Sequence, residues 1–206
     1  SATINNDGTI SATAIAIIGQ STGNLTVNNF ENGEILANAT AIASNAGTLT
    51  VDNRGFIFSA GQNAINITTA DAVINNSQGI VGALSGITTS VFQNAEGTQV
   101  RARNTAVTNS GTIEGRSGSG VALAGGGSVV NSGVIRGLNG NSGSGTGVVL
   151  SEFTQSIATD VTGIGSVTNA PGGLIEGEMF GVVVQGGGTV DNAGIIRSTG
   201  TFNPAN

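Results

Sequence analysis

"VTNSGTIEG" (Val107–Gly115) is followed by "VVNSGVIRG" (Val129–Gly137) and later by "VDNAGIIRS" (Val190–Ser198), one phrase written three times with small changes. It consists of an apolar residue, any residue, Asn, a turn carrying Gly, and a second apolar residue. Aligned on that pattern, copies occur around Asn6, Asn29, Asn53, Asn76, Asn94, Asn109, Asn131, Asn169 and Asn192. The successive spacings are 23, 24, 23, 18, 15, 22, 38 and 23, so most copies lie one unit of 22 to 24 residues apart. Self-similarity on this scale marks a repeat architecture, in which each unit buries its apolar face only against its neighbours.

Two more segments recur within each unit. After the Gly turn comes a short apolar run: "AIAI" at Ala14, "AINI" at Ala64, "GVAL" at Gly120 and "GVVV" at Gly181. A Gly-rich break then leads into the next copy, as in "AGGGSVVN" and "QGGGTVDN". Segments this short, rich in Val, Ile, Leu and Thr and bounded by Gly, Asn or Ser, read as strands and turns. Three strands per unit make one coil, and stacked coils pair strand over strand in parallel around a narrow core. The expectation is an all-β, right-handed parallel β-helix, a single domain over residues 1–206 with about nine coils of roughly 23 residues. The hand follows from the strong preference of parallel crossovers. Nine rungs at a spacing of about 4.8 Å would make a rod about 43 Å long. The fixed Leu pattern of leucine-rich repeats is absent, a sandwich would not phase-lock an Asn, and the "GGxGxD" calcium array needs an Asp that "AGGGSVV" lacks.

Strand alternation turns Val107 and Asn109 inward and Thr108 outward, and returns Ile113 to the core after the turn. An unpartnered buried amide costs about 1–3 kcal/mol. The Asn residues therefore read as a column stacked through the coils, each satisfying the next and fixing register. The residue after the inward Ile or Val faces out, giving the column Ser11, Leu36, Phe58, Val81, Arg101, Glu114, Arg136, Glu176 and Arg197. Its last five members alternate in sign and read as a charge ladder, each neighbouring pair worth about 0.2–1 kcal/mol. Leu36, Phe58 and Val81, joined by Phe56 two residues before Phe58, read as an outward apolar strip. Such a strip is either a partner contact or a surface roofed by a loop.

Composition narrows the functions. All 206 residues contain no His or Cys, which excludes Ser-His catalysis, imidazole metal sites, thiol chemistry and a disulfide framework. Six basic against twelve acidic residues, a net charge of −6, oppose binding to nucleic acid or an anionic membrane. No apolar run approaches the roughly 20 residues of a membrane helix, so this segment is not expected to insert. Glu176 and Glu178 are the nearest approach to a carboxylate pair, a weak basis for acid–base work. The expectation is a chain that is not an enzyme and carries neither cofactor nor metal. Insertions at about 138–146 and 151–165 break the period; the second brings Glu152 and Phe153 and reads as a spacer or a binding loop. "QVRARN" places Arg101 and Arg103 on one strand face, able to hold an anion or to pair with nearby acids.

The "VxNSGTIxG … GVxL … GGGSVVNSG" phrasing resembles the passenger repeats of bacterial autotransporters and related surface adhesins over nearly the whole chain. The resemblance implies export to the cell surface and work in adhesion, aggregation or surface coating, against a host or cell-surface protein or glycan. The membrane barrel of a complete autotransporter is not in this sequence. A second reading is an extracellular filament, since the sequence shows no amphipathic helix to cap the first or last coil and copies could associate end to end or laterally. A third is a carbohydrate-active β-helix enzyme, which would need carboxylates converging in a groove.

Overall fold

Runs of three to six residues dominated by β-branched side chains favour extended backbone, and the Gly and Asn between them supply the turns. The computed structural model describes residues 1–20, 23–45, 47–68, 71–90, 92–93, 99–100, 104–138, 145–151 and 165–200, with backbone alone for 92–93 and 99–100. The described residues form three parallel sheets and one short antiparallel pair.

The first sheet has eight strands in chain order: Ala2–Asn6, Leu25–Asn29, Thr48–Asn53, Asp71–Asn76, Thr105–Asn109, Gly127–Asn131, Gly165–Asn169 and Gly188–Asn192. The second has eight: Thr9–Ala12, Glu34–Ala37, Phe56–Ser59, Gly79–Gly82, Thr112–Gly115, Val134–Gly137, Leu174–Gly177 and Ile195–Ser198. The third has seven: Ile17–Gly19, Ile42–Ser44, Ile65–Ile67, Ile87–Thr89, Val121–Ala124, Thr146–Ser151 and Phe180–Val184. The chain visits the three sheets in turn, so the molecule is a parallel β-solenoid of about seven turns of roughly 23 residues.

The expected nine coils are therefore too many: no rung stands between Asp71–Asn76 and Thr105–Asn109, and the eight strands of the first sheet bound seven turns. Asp71–Asn76 pairs directly with Thr105–Asn109, with Asn76 opposite Asn109. The intervals of 18 and 15 residues around Asn94 belong to one enlarged coil, which contains the antiparallel pair Phe92–Gln93 and Gln99–Val100. Asn94 itself lies outside the described residues. Most of both expected insertions lies outside them too. Thr146, Ser151 and Gly165 belong to strands, which trims the boundaries proposed at 138–146 and 151–165.

The core is a set of stacked columns. On the second sheet the inward column is Ile at each rung: Ile10, Ile35, Ile57, Ile80, Ile113, Ile135, Ile175 and Ile196. The six inner members are fully buried. Val27, Val51, Ile74, Val107, Val129 and Val167 of the first sheet, and Ile42, Ile65, Ile87, Val121 and Val148 of the third, complete the wall and are likewise buried. Like stacks on like because each rung repeats the backbone of the last. Side chains of this size fill a space enclosed on three sides without an aromatic ring.

Candidate functional site: the Asn column and the outer face of the second sheet

The corner between the first and second sheets holds the Asn column. Asn6 Nδ2 donates to Asn29 Oδ1, and the same bond continues to Asn53, Asn76, Asn109, Asn131, Asn169 and Asn192 at 2.7–2.9 Å. Each amide nitrogen also serves the backbone of its own turn and of the next, as Asn131 Nδ2 does with the carbonyls of Gly133 (3.1 Å) and Leu174 (3.2 Å). Two amide protons thus serve three acceptors, which satisfies a buried group with little room for alternatives. The amide and the backbone of the preceding turn together take up the space in which a side chain on the turn would lie. A Cβ at Gly55 would sit 2.8 Å from Asn29 Nδ2, and one at Gly111 2.1 Å from the Gln78 carbonyl oxygen. Gln78 occupies the equivalent place after Asn76, so a side chain is accommodated once.

The outward residues of the second sheet stand in register as the alternation predicts. Leu36 lies opposite Phe58, Phe58 opposite Val81, Val81 opposite Glu114, Glu114 opposite Arg136, Arg136 opposite Glu176 and Glu176 opposite Arg197. No rung separates Val81 from Glu114, so Arg101 does not stand in this column. Its own position lies outside the described residues, as do those of Arg103, Glu152 and Phe153.

The charged half of the column is uneven. Glu176 is held from both sides: Arg197 Nε donates to its Oε2 at 2.7 Å, and Arg136 Nε lies 3.5 Å from its Oε1. It is only 9% exposed, so both cations act on a carboxylate with little competition from water. Glu114 pairs with Arg116, two residues further on, at 3.2 Å instead of with Arg136 across the sheet. The spacing of outward residues could not reveal that choice, because Arg116 follows the strand and lies at the corner.

The apolar half is partly buried. Val81 is 8% exposed, Leu36 and Phe58 are half-buried, and Phe56 is the open member at 37%. The Phe56 and Phe58 rings stack with centroids 6.0 Å apart and planes 12° from parallel. The Arg116 guanidinium lies over Phe58, 5.3 Å from its centroid, so a cation caps one ring while the other faces solvent.

Beside Phe56 runs a groove of about 470 Å³ along the corner, crossing four successive rungs from Glu31–Glu34 through Phe56 and Gln78 to Thr112. It is open because glycines line it. Gly79 is the register partner of Phe56, and a Cβ there would sit 2.6 Å from Phe56 Cδ2. The ring therefore lies down along the sheet over the bare rung instead of standing off it. Glu34, the partner of Phe56 on the other side, shares this face, and Glu31 stands at the turn before it. Sequence reading missed Glu31, Glu34 and Arg116. The first position of each second-sheet strand, two residues before the outward column, was the signal that would have found Glu34.

Among the described residues no group of three or more Asp and Glu side chains could hold a metal ion, and no helix is long and apolar enough to cross a membrane. The fold and this face define a class, a parallel β-solenoid with a mixed aromatic and acidic outer surface. No family model, curated protein or solved structure matches the chain.

Proposed function

We propose that the chain is a non-enzymatic, extracellular surface protein, an autotransporter-like passenger scaffold that acts in adhesion, aggregation or surface coating. The observation that carries this reading is the Phe56–Phe58 stack, whose Phe56 ring is exposed beside a groove on the outer face of the second sheet. Contiguous aromatic surface on a rigid rod suits contact with a partner. The repeated residues meanwhile serve the scaffold: the Asn amides bond one another, and Glu176, one of the acids that could have done acid–base work, is neutralised by Arg136 and Arg197. In this reading the solenoid is right-handed, in keeping with parallel crossovers generally.

The test is adhesion of beads coated with the purified chain to cells, compared with beads carrying Phe56→Asp. The variant loses most of the adhesion while keeping a cooperative melting transition, because residue 56 lies on the outer face and not in the core. Equal adhesion by both proteins would remove Phe56 from the contact surface. Protease treatment of intact producing cells, followed by immunodetection, tests the extracellular placement.

A further inference from the structure

We propose that the groove beside Phe56 receives an arginine- or lysine-bearing extended segment of a partner protein, with the cation seated on the Phe56 ring and against the Glu34 and Glu31 carboxylates. This names the partner chemistry of the contact face above and rests on that reading.

Charge points to a cation. Among the described residues the two ionisable groups lining the groove are both carboxylates, and the whole chain carries −6. Among the described residues neither Glu31 nor Glu34 forms an ion pair, and Arg54, exposed at the same corner, reaches neither. Glu34 Oε2 has only a long contact from the Thr9 hydroxyl, at 3.4 Å.

The molecule also contains a built example of the same arrangement. On the neighbouring ring, the Arg116 guanidinium lies 5.3 Å from the Phe58 centroid and 3.2 Å from the Glu114 carboxylate. Phe58 and Glu114 thus hold a guanidinium between a π face and an acid. Phe56 and Glu34, direct register partners, offer the same two elements with no cation between them among the described residues. A guanidinium is weakly hydrated and planar, so it can both stack on a ring and pair with a carboxylate.

The shape points to a peptide. Four rungs about 4.8 Å apart give a groove roughly 14 Å long, which matches about four residues of extended chain. Asn32, Gln78 and Thr112 along its walls offer amide and hydroxyl groups to a peptide backbone. A neutral sugar could stack on Phe56 but would leave two carboxylates unanswered, and an anionic surface would be repelled.

The experiment is fluorescence anisotropy of the full chain with a labelled peptide containing two arginines, and with the same peptide carrying citrulline in their place. Citrulline keeps the shape and removes the charge. The arginine peptide binds at least tenfold more tightly, and the preference fades as salt rises from low to physiological concentration. Phe56→Leu, which keeps the apolar bulk but removes the ring, and Glu34→Gln each weaken binding about tenfold. Asp191→Asn, an acid distant from the groove, leaves it unchanged. Equal affinity for the two peptides, indifference to Phe56→Leu and Glu34→Gln, or Phe56-dependent binding of a neutral glucan oligosaccharide in place of the peptide would overturn the proposal. Adhesion lost in Phe56→Asp without arginine-peptide binding leaves the surface-contact reading standing and removes this one. Arginine-peptide binding with adhesion indifferent to Phe56→Asp does the reverse.

Discussion

Asn131 donates to Asn169, to its own turn and to the next, and accepts from Asn109, all from one buried side chain. Asn131→Ala removes these bonds and leaves the Leu174 and Gly133 carbonyls without the amide, at a cost of about 1–3 kcal/mol. Urea unfolding measures this, and the loss should clearly exceed that for Thr168→Ala on the outer face of the next rung. Thr105 predicts a change of opposite sign. Its buried Oγ1 has no hydrogen-bond partner among the described residues, and Ala72 stands opposite it on the preceding strand. Thr105→Val keeps the shape, removes an unsatisfied hydroxyl and should stabilise the chain by about 1 kcal/mol in the same measurement. The Asn column was legible in the sequence because an inward amide repeating at one phase can be satisfied only by its own copies. Thr105 was not, because nothing in "NTAVTN" says that the rungs above and below offer Ala and Gly where a hydroxyl would want an acceptor.

At the scale of the strand, alternation placed the second sheet correctly. Ile113 lies inward at 0% exposure and Glu114 outward beside Arg136. Ile113→Ala should cost about 2–5 kcal/mol, since a column confined by rungs on both sides collapses little around a cavity. Glu176→Gln, at the centre of the two-arginine clamp, should cost about 1 kcal/mol at low salt and less at high salt, read from melting at two ionic strengths. Alternation failed where "VFQNAEG" imitates the repeated phrase. An apolar residue, a spacer, Asn and Gly recur there, but Phe92–Gln93 pairs antiparallel with Gln99–Val100 instead of stacking on a rung. Local pattern specifies a strand, whereas membership of the stack depends on which strand lies next in space. For the same reason Arg101 looked like a partner of Glu114, and the groove, which depends on a bare Gly79 beneath Phe56, could not be seen from either residue alone.

Over the whole molecule, each rung touches only the rungs before and after it, so stability is close to a sum of repeats and their interfaces. Deleting residues 110–131 joins Asn109 to Ser132 and removes one complete turn while keeping the phase of every later strand. Such a chain should fold, keep a cooperative thermal transition and show the same β-sheet circular dichroism per residue. Deleting 110–125 instead cuts across a turn and should lose the transition. The Asn bonds add a consequence of their own. Within the buried column each runs from a lower-numbered to a higher-numbered residue, from Asn6 to Asn29 and onward to Asn192. Any coil of this design presents an oxygen to its predecessor and hydrogens to its successor. A gene that gains or loses one whole unit by slippage between copies therefore yields a protein that still joins correctly at the new junction, and length becomes a trait that heredity can vary without redesigning a single contact.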